Sequence, residues 1–228
     1  MGRSAKKRGS APLTFTLGVM KKQVIGYTLS GHDNDSYMLG EETRRALSDE
    51  EREFFDWRFL KNSRQHPATC PKCGRKIDHE YIDPSFQLHK KSMDISSTYD
   101  GYTIVSKKFK IFCANHAING IEFITLPSQP KHYWLVIRNI LEVDKSKSLG
   151  IRFLYYCDLC ESYAGVFGTS RLRFKGVESP IIQGFYRTDL EFAQAHQQSP
   201  VIVVGTEVGT AIKAAQFKGV CLNKIEYA

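Results

Sequence analysis

The chain has 228 residues, 42% of them hydrophobic, with 32 Lys and Arg against 24 Asp and Glu and only six Cys. That length and composition exclude collagen-like, wholly disordered and disulfide-scaffold proteins and allow a core that needs no covalent staples. No run reaches the ~18 apolar residues of a membrane span, and the charged first residues lack the apolar stretch of a secretory signal. The expected protein is therefore soluble and cytoplasmic, with no membrane partner.

The formal charge of +8 is unevenly placed. Arg3, Lys6, Lys7 and Arg8 supply four of these charges from a Gly, Ser and Pro-containing stretch that reads as a disordered basic tail over residues 1–12. Residues 13–228 then read as one α+β domain, with two pseudo-repeated halves at about 70–150 and 151–228. Their charge is about +4, or about +2 if four thiolates hold one zinc. Such a charge does not strongly imply a globally basic nucleic-acid binder.

In chain order, Leu13–Leu17 and Gln23–Leu29 read as an opening pair of strands. Gly31, Asn34 and Gly40 mark residues 31–40 as a mobile loop. Ser48, Asp49, Glu50 and Glu51 form a capping box for a helix carrying Phe54, Phe55, Trp57, Phe59 and Leu60. His132–Ile137, Ile151–Tyr156 and Val201–Val204 are strand-like apolar runs.

Val105–Phe123 aligns without gaps on Val204–Leu222, 99 residues on. Each segment predicts a strand, then a helix with apolar positions Phe109, Phe112, Cys113 or Val208, Ala211, Ile212. Gly120 or Gly219 follows at the left-handed position after the helix, and a short strand comes next. The stripe makes Cys113 a packing residue, as the final strand does for Cys221. His116 reads as a satisfied histidine.

The sharpest chemical signal is Cys70-Pro71-Lys72-Cys73-Gly74 with Cys157-Asp158-Leu159-Cys160-Glu161. A CxxC turn lets two sulfurs converge on one tetrahedral ion, and two such turns complete a closed four-thiolate site. The reading is one structural zinc held by Cys70, Cys73, Cys157 and Cys160. The alternatives are a redox pair, disulfides, or two half-sites completed by His66, His79 or His89. The first turn has a glycine suited to positive φ; the second has Glu161 there, which predicts a less regular knuckle. The pairs lie 87 residues apart, so a shared ion must clamp distant parts of the chain.

Signatures of enzymes are missing from the sequence: it has no P-loop, GxSxG or HExxH, and the order around His79-Glu80-Tyr81 is wrong for a zinc deaminase. A non-enzymatic role is expected. Arg171, Arg173 and Lys175 alternate with Leu172 and Phe174, which as a strand would put three cations on one face near the second knuckle. With the basic tail, that face would suit nucleic-acid phosphates. The bland reading is a solvated edge.

The two knuckles, the segment Gly184-Phe185-Tyr186-Arg187-Thr188-Asp189-Leu190-Glu191-Phe192, the run Pro200–Val204 and the helix end from Ala214-Ala215 to Gly219 resemble the bacterial double-CxxCG-motif family. The resemblance covers Cys70 to Ala228. It implies a zinc-knuckle immunity protein that binds a cognate toxin protein, with no catalytic residues. The zinc-ribbon-like nucleic-acid binder is the alternative.

Overall fold

The computed structural model describes residues 22–40 and 66–227. The basic tail, the strand expected at Leu13–Leu17 and the capping-box helix lie outside the described residues. Eleven strands among the described residues form one sheet with two helices, an α+β arrangement. In chain order they are β1 (Gln23–Asp33), β2 (Ile95–Ser97), β3 (Thr103–Ser106), α1 (Lys107–Asn115), β4 (Ile121–Leu126), β5 (Gln129–Ile137), β6 (Ile140–Leu141), β7 (Arg152–Cys157), β8 (Ser162–Phe167), β9 (Phe185–Gln194), β10 (Ser199–Val204), α2 (Thr206–Ala214) and β11 (Val220–Tyr227). The sheet runs β4-β5-β3-β2-β1-β10-β9-β8-β7, with β11 beside β1 and β6 beside β9.

The aligned segments build two split β-α-β units. β5 pairs antiparallel with both β3 and β4, which are therefore parallel and joined by α1. In the same way β1 lies between β10 and β11, which are joined by α2. Helix bounds coincide at the 99-residue offset: Lys107–Asn115 falls on Thr206–Ala214. The glycines do not take the expected place. Ala117 (φ +48°) and Gln216 (φ +49°) are the left-handed residues after the helices, and Gly120 (φ +74°) and Gly219 (φ +80°) come three residues later, where each strand begins. A side chain at Gly219 would put its Cβ 2.5 Å from the Ile95 carbonyl oxygen, so close approach as well as φ demands glycine.

The apolar stripes bury as their spacing predicts. Phe109 and Cys113 of α1 and Val208 and Ile212 of α2 meet Tyr27, Leu29, Ile95 and Phe185 in one cluster. Rings of Phe109 and Phe217 cross edge-on at 5.2 Å, tying α1 to the turn that follows α2. Two further clusters, around Ile25, Val203 and Phe192 and around Ile104, Trp134 and Phe86, complete the core.

Residues 34–40 are pinned rather than loose. Asn34 and Ser36 are fully buried, the Asn34 side chain donates to Ser96 Oγ at 3.0 Å, and the Leu39 amide donates to Asp100 Oδ2 at 2.7 Å. Gly and Asn serve there as turn formers inside a packed connection.

Phe109→Ala removes a wholly buried ring in contact with Phe112, Phe185 and Phe217. It should cost about 3–5 kcal/mol, read as a lowered denaturant midpoint with an unchanged slope.

Candidate metal centre

Both CxxC pairs sit at hairpin tips. Around the first, Thr69 and Lys76 form an isolated bridge, the Cys70 amide donates to the Arg75 carbonyl at 2.7 Å, and Gly74 (φ +74°) donates back to the Cys70 carbonyl at 2.8 Å. The second closes the β7–β8 hairpin, with Cys157 opposite Ser162. Glu161 occupies the left-handed position, φ +50°, that Gly74 holds in the first. The second knuckle is therefore regular, with a non-glycine residue carrying the strain.

All four sulfurs lie within 4.8 Å of one another. Cys70 Sγ is 3.8 Å from Cys157 Sγ, and Cys73 Sγ is 3.6 Å from Cys160 Sγ. A tetrahedral ion with bonds of ~2.3 Å to sulfur needs S···S edges of about 3.8 Å. The donor set thus fits a metal ion, and the six cysteines are all free thiols. Cys70 and Cys157 are buried, Cys73 and Cys160 half-buried. Burial pushes the Cys157 thiol up, but the amides of Cys160 and Leu159 outweigh it and bring the group down to about 7. Burial pushes the Cys73 thiol well above the usual range.

None of the three histidines considered joins the cluster. His66 Nδ1 accepts from the Ala68 amide, and its ring meets Tyr81 edge-on at 4.7 Å. His79 pairs with Glu191, and the His89 amide donates to Ser36 Oγ. Cys113 is a buried packing residue whose thiol burial pushes up to about 12. Cys221 is half-buried in β11. His116 is exposed, its Nδ1 2.9 Å from the Phe112 carbonyl and its ring 4.1 Å from that of Phe112.

A polar cluster behind the first knuckle has no counterpart in any sequence motif. Arg75 donates to Gln198 Oε1 at 2.8 Å and to Glu191 Oε2 at 2.9 Å, while Gln198 Nε2 donates to the Tyr163 carbonyl on β8. The side chain that follows the first knuckle therefore reaches, through Gln198, the hairpin carrying the second. Lys76 is buried, its ammonium bonded to the Asp100 carbonyl and 4.6 Å from the Tyr102 ring centre. Burial lowers its pKa, more than Asp100 and Glu191 restore. For Glu191 burial acts upward, and His79, Arg75 and Lys76 together outweigh it and hold the carboxylate ionised. Across the knuckles, Lys72 and Asp158 form an exposed ion pair.

Arg171, Arg173 and Lys175 do not lie on a strand. Leu172 and Phe174 are buried as alternation requires, but the segment makes one bridge, Val143 to Phe174; its other backbone bonds go to residues 142–149, to Val177 and to the Tyr227 hydroxyl. Ordinary strand pairing fails because Gly168 and Gly176, both at positive φ, bend the chain on either side. Arg173 lies 3.9 Å over the Tyr227 ring and Lys175 pairs with Glu142. In the RTDLEF segment, Arg187 donates to the Ile137 carbonyl, Thr188 Oγ1 accepts from Val201, and Asp189 accepts from Val143. Each polar side chain locks β9 to a neighbour.

Burial holds His196 neutral, down to about 4, with Lys76 and His66 adding to the effect and Asp100 opposing it. The unfolded imidazole protonates near 6.5, so between there and about 4 the unfolded chain binds the extra proton and stability falls as pH falls. Wild type should lose up to about 3 kcal/mol more than His196→Gln across that window, measured by denaturant titration at each pH. No protein-family model matches the chain, and no curated protein matches it.

Proposed function

We propose that the chain is a cytoplasmic bacterial binding protein, braced by one zinc ion on Cys70, Cys73, Cys157 and Cys160, that neutralises a cognate toxin by covering it. The convergence of four thiols from two distant hairpin tips carries this reading. Four sulfur donors at tetrahedral spacing favour zinc, which would act as a cross-link: four protein ligands leave no open position for water or substrate. A rigid scaffold without an open metal position suits recognition better than catalysis. The family resemblance supplies the toxin as the partner, with inhibition by occlusion across an interface of standard size. The two β-α-β units are read as one repeated module.

Metal analysis should give one zinc per chain, and Cys70→Ser and Cys157→Ser should each release it, since both pairs serve the same ion. Two ions, or loss confined to one pair, would contradict the shared centre. Co-expression with a toxin encoded by the adjacent gene should restore growth and yield a stable complex; failure to rescue any neighbouring toxin removes the immunity role and leaves the metal result standing.

One observation favours nucleic acid as the second reading. The sheet has a concavity of about 1940 Å³ whose lining includes Arg171, Arg173 and Arg187, besides Arg75 and Arg138, which pair with the lining acids Glu191 and Glu80. That is larger than an ordinary small-molecule pocket and could follow a polyanion. Under this reading RNA or DNA binding weakens steeply with salt, and Arg171→Ala with Arg173→Ala flattens the salt dependence by about one unit of slope per lost phosphate contact.

A further inference from the structure

β7 is the last strand of the sheet: β8 covers one of its edges and no described strand covers the other. Its hairpin exposes an unusual amount of apolar surface. Tyr155 is 79% exposed, Tyr156 and Leu159 60%, Leu154 40% and Tyr163 38%. Scattered exposed apolar residues are ordinary, but five cluster on this one hairpin, with Tyr156 opposite Tyr163, and tyrosine is among the residue types that most often anchor interfaces. Tyr155 also has φ +53° in mid-strand, a left-handed conformation that a glycine would take freely. Its side chain gains little contact from its own chain in return. Strain of this kind collects where a side chain is being presented.

We infer that the chain pairs with a second copy of itself through this face, the two β7 edges lying antiparallel about a two-fold axis at Tyr155. Two features of the hairpin select a second copy as the occupant. The first is charge: an antiparallel arrangement centred on Tyr155 sets Leu154 against Tyr156 of the other copy and brings Arg152 to Asp158, whose carboxylate it would share with Lys72 of that copy. Arg152 is exposed, and the Asp158 side chain is 76% exposed. The second is area. With aromatic side chains offering ~150–250 Å² each, the five residues present about 500 Å² per copy, and two copies reach about 1,000 Å², the lower bound for a specific interface. An isologous contact of that size gives a weak, concentration-dependent dimer. The kink at Tyr155 keeps the edge from acting as an open ladder for arbitrary strands, so side chains rather than a continuous run of backbone bonds carry the contact. This inference does not rest on the toxin reading.

Sedimentation velocity and light scattering on the purified full-length chain, from about 1 µM to about 100 µM, should show a monomer–dimer equilibrium within that range. Tyr155→Asp should weaken it at least about tenfold. Tyr155→Gly should weaken it too, and because glycine accepts φ +53° its effect cannot be laid to misfolding. Arg152→Asp and Asp158→Arg should each weaken pairing, and the double variant should recover it, with metal content followed throughout. A monomer at every concentration, or a dimer indifferent to all four substitutions, overturns the inference. So does a result in which these variants leave self-association unchanged but release a co-expressed toxin, since the face would then belong to that partner.

Discussion

Convergence of the two knuckles is the constraint on which the rest of the fold depends. Cys70 and Cys73 precede β2, whereas Cys157 and Cys160 close a hairpin at the far end of the sheet, and their sulfurs come within bonding distance of one point. A metal cross-link closing this loop of 87 residues would remove about 4–5 kcal/mol of chain entropy from the unfolded state, by the same model that applies to disulfides. The exposed Lys72–Asp158 pair spans the same gap but is screened by water and orders two flexible side chains, so it adds little. A metal ion held by the four thiols would outweigh that pair as a link between the two tips.

The polar cluster behind the first knuckle contributes precision more than stability. Arg75, Glu191 and Gln198 form a chain of charge-assisted hydrogen bonds from the first knuckle to the Tyr163 carbonyl, next to the second. Desolvating such groups offsets much of what their attraction returns, but a shifted register would leave a half-buried carboxylate and guanidinium unpaired. The cluster therefore penalises wrong approaches of the hairpin, while the thiols hold the right one. Lys76 acts similarly: a buried ammonium bonded to the Asp100 carbonyl tolerates few alternative positions.

What the sequence revealed follows the range of the interactions involved. The four cysteines were legible because CxxC spacing is local chemistry, and both helices because i, i+3, i+4 stripes are local geometry. The Arg75–Glu191–Gln198 cluster was not, since its members stand 116 and 123 residues apart and no periodicity links them. Glu161 misled because tertiary anchoring on either side of a turn can force a non-glycine residue into left-handed backbone. The Asn and Gly run at 31–40 misled for the opposite reason: turn-forming residues mark a change of direction and say nothing about burial, which Asn34 and Ser36 obtain from residues 96–100. Alternation in Arg171–Lys175 reported one buried side correctly, but a strand also needs a partner edge, and the segment meets only one bridge.

The metal centre and the exposed tyrosines belong to one mechanical problem. The β7–β8 hairpin joins the sheet through only two register pairs, Gly165 with Gln194 and Val166 with Ala193, near its base. Val166, with Phe153 packed against the same cluster, secures that end in the core, and the distal end has the thiol cluster. A hairpin fixed at both ends can hold Tyr155 in a strained conformation that a free one would relax. It also brings an apolar face to a partner already ordered, so association need not supply the entropy of immobilising the hairpin. A metal ion held by the four thiols would therefore set how rigidly the β7–β8 hairpin presents its exposed tyrosines.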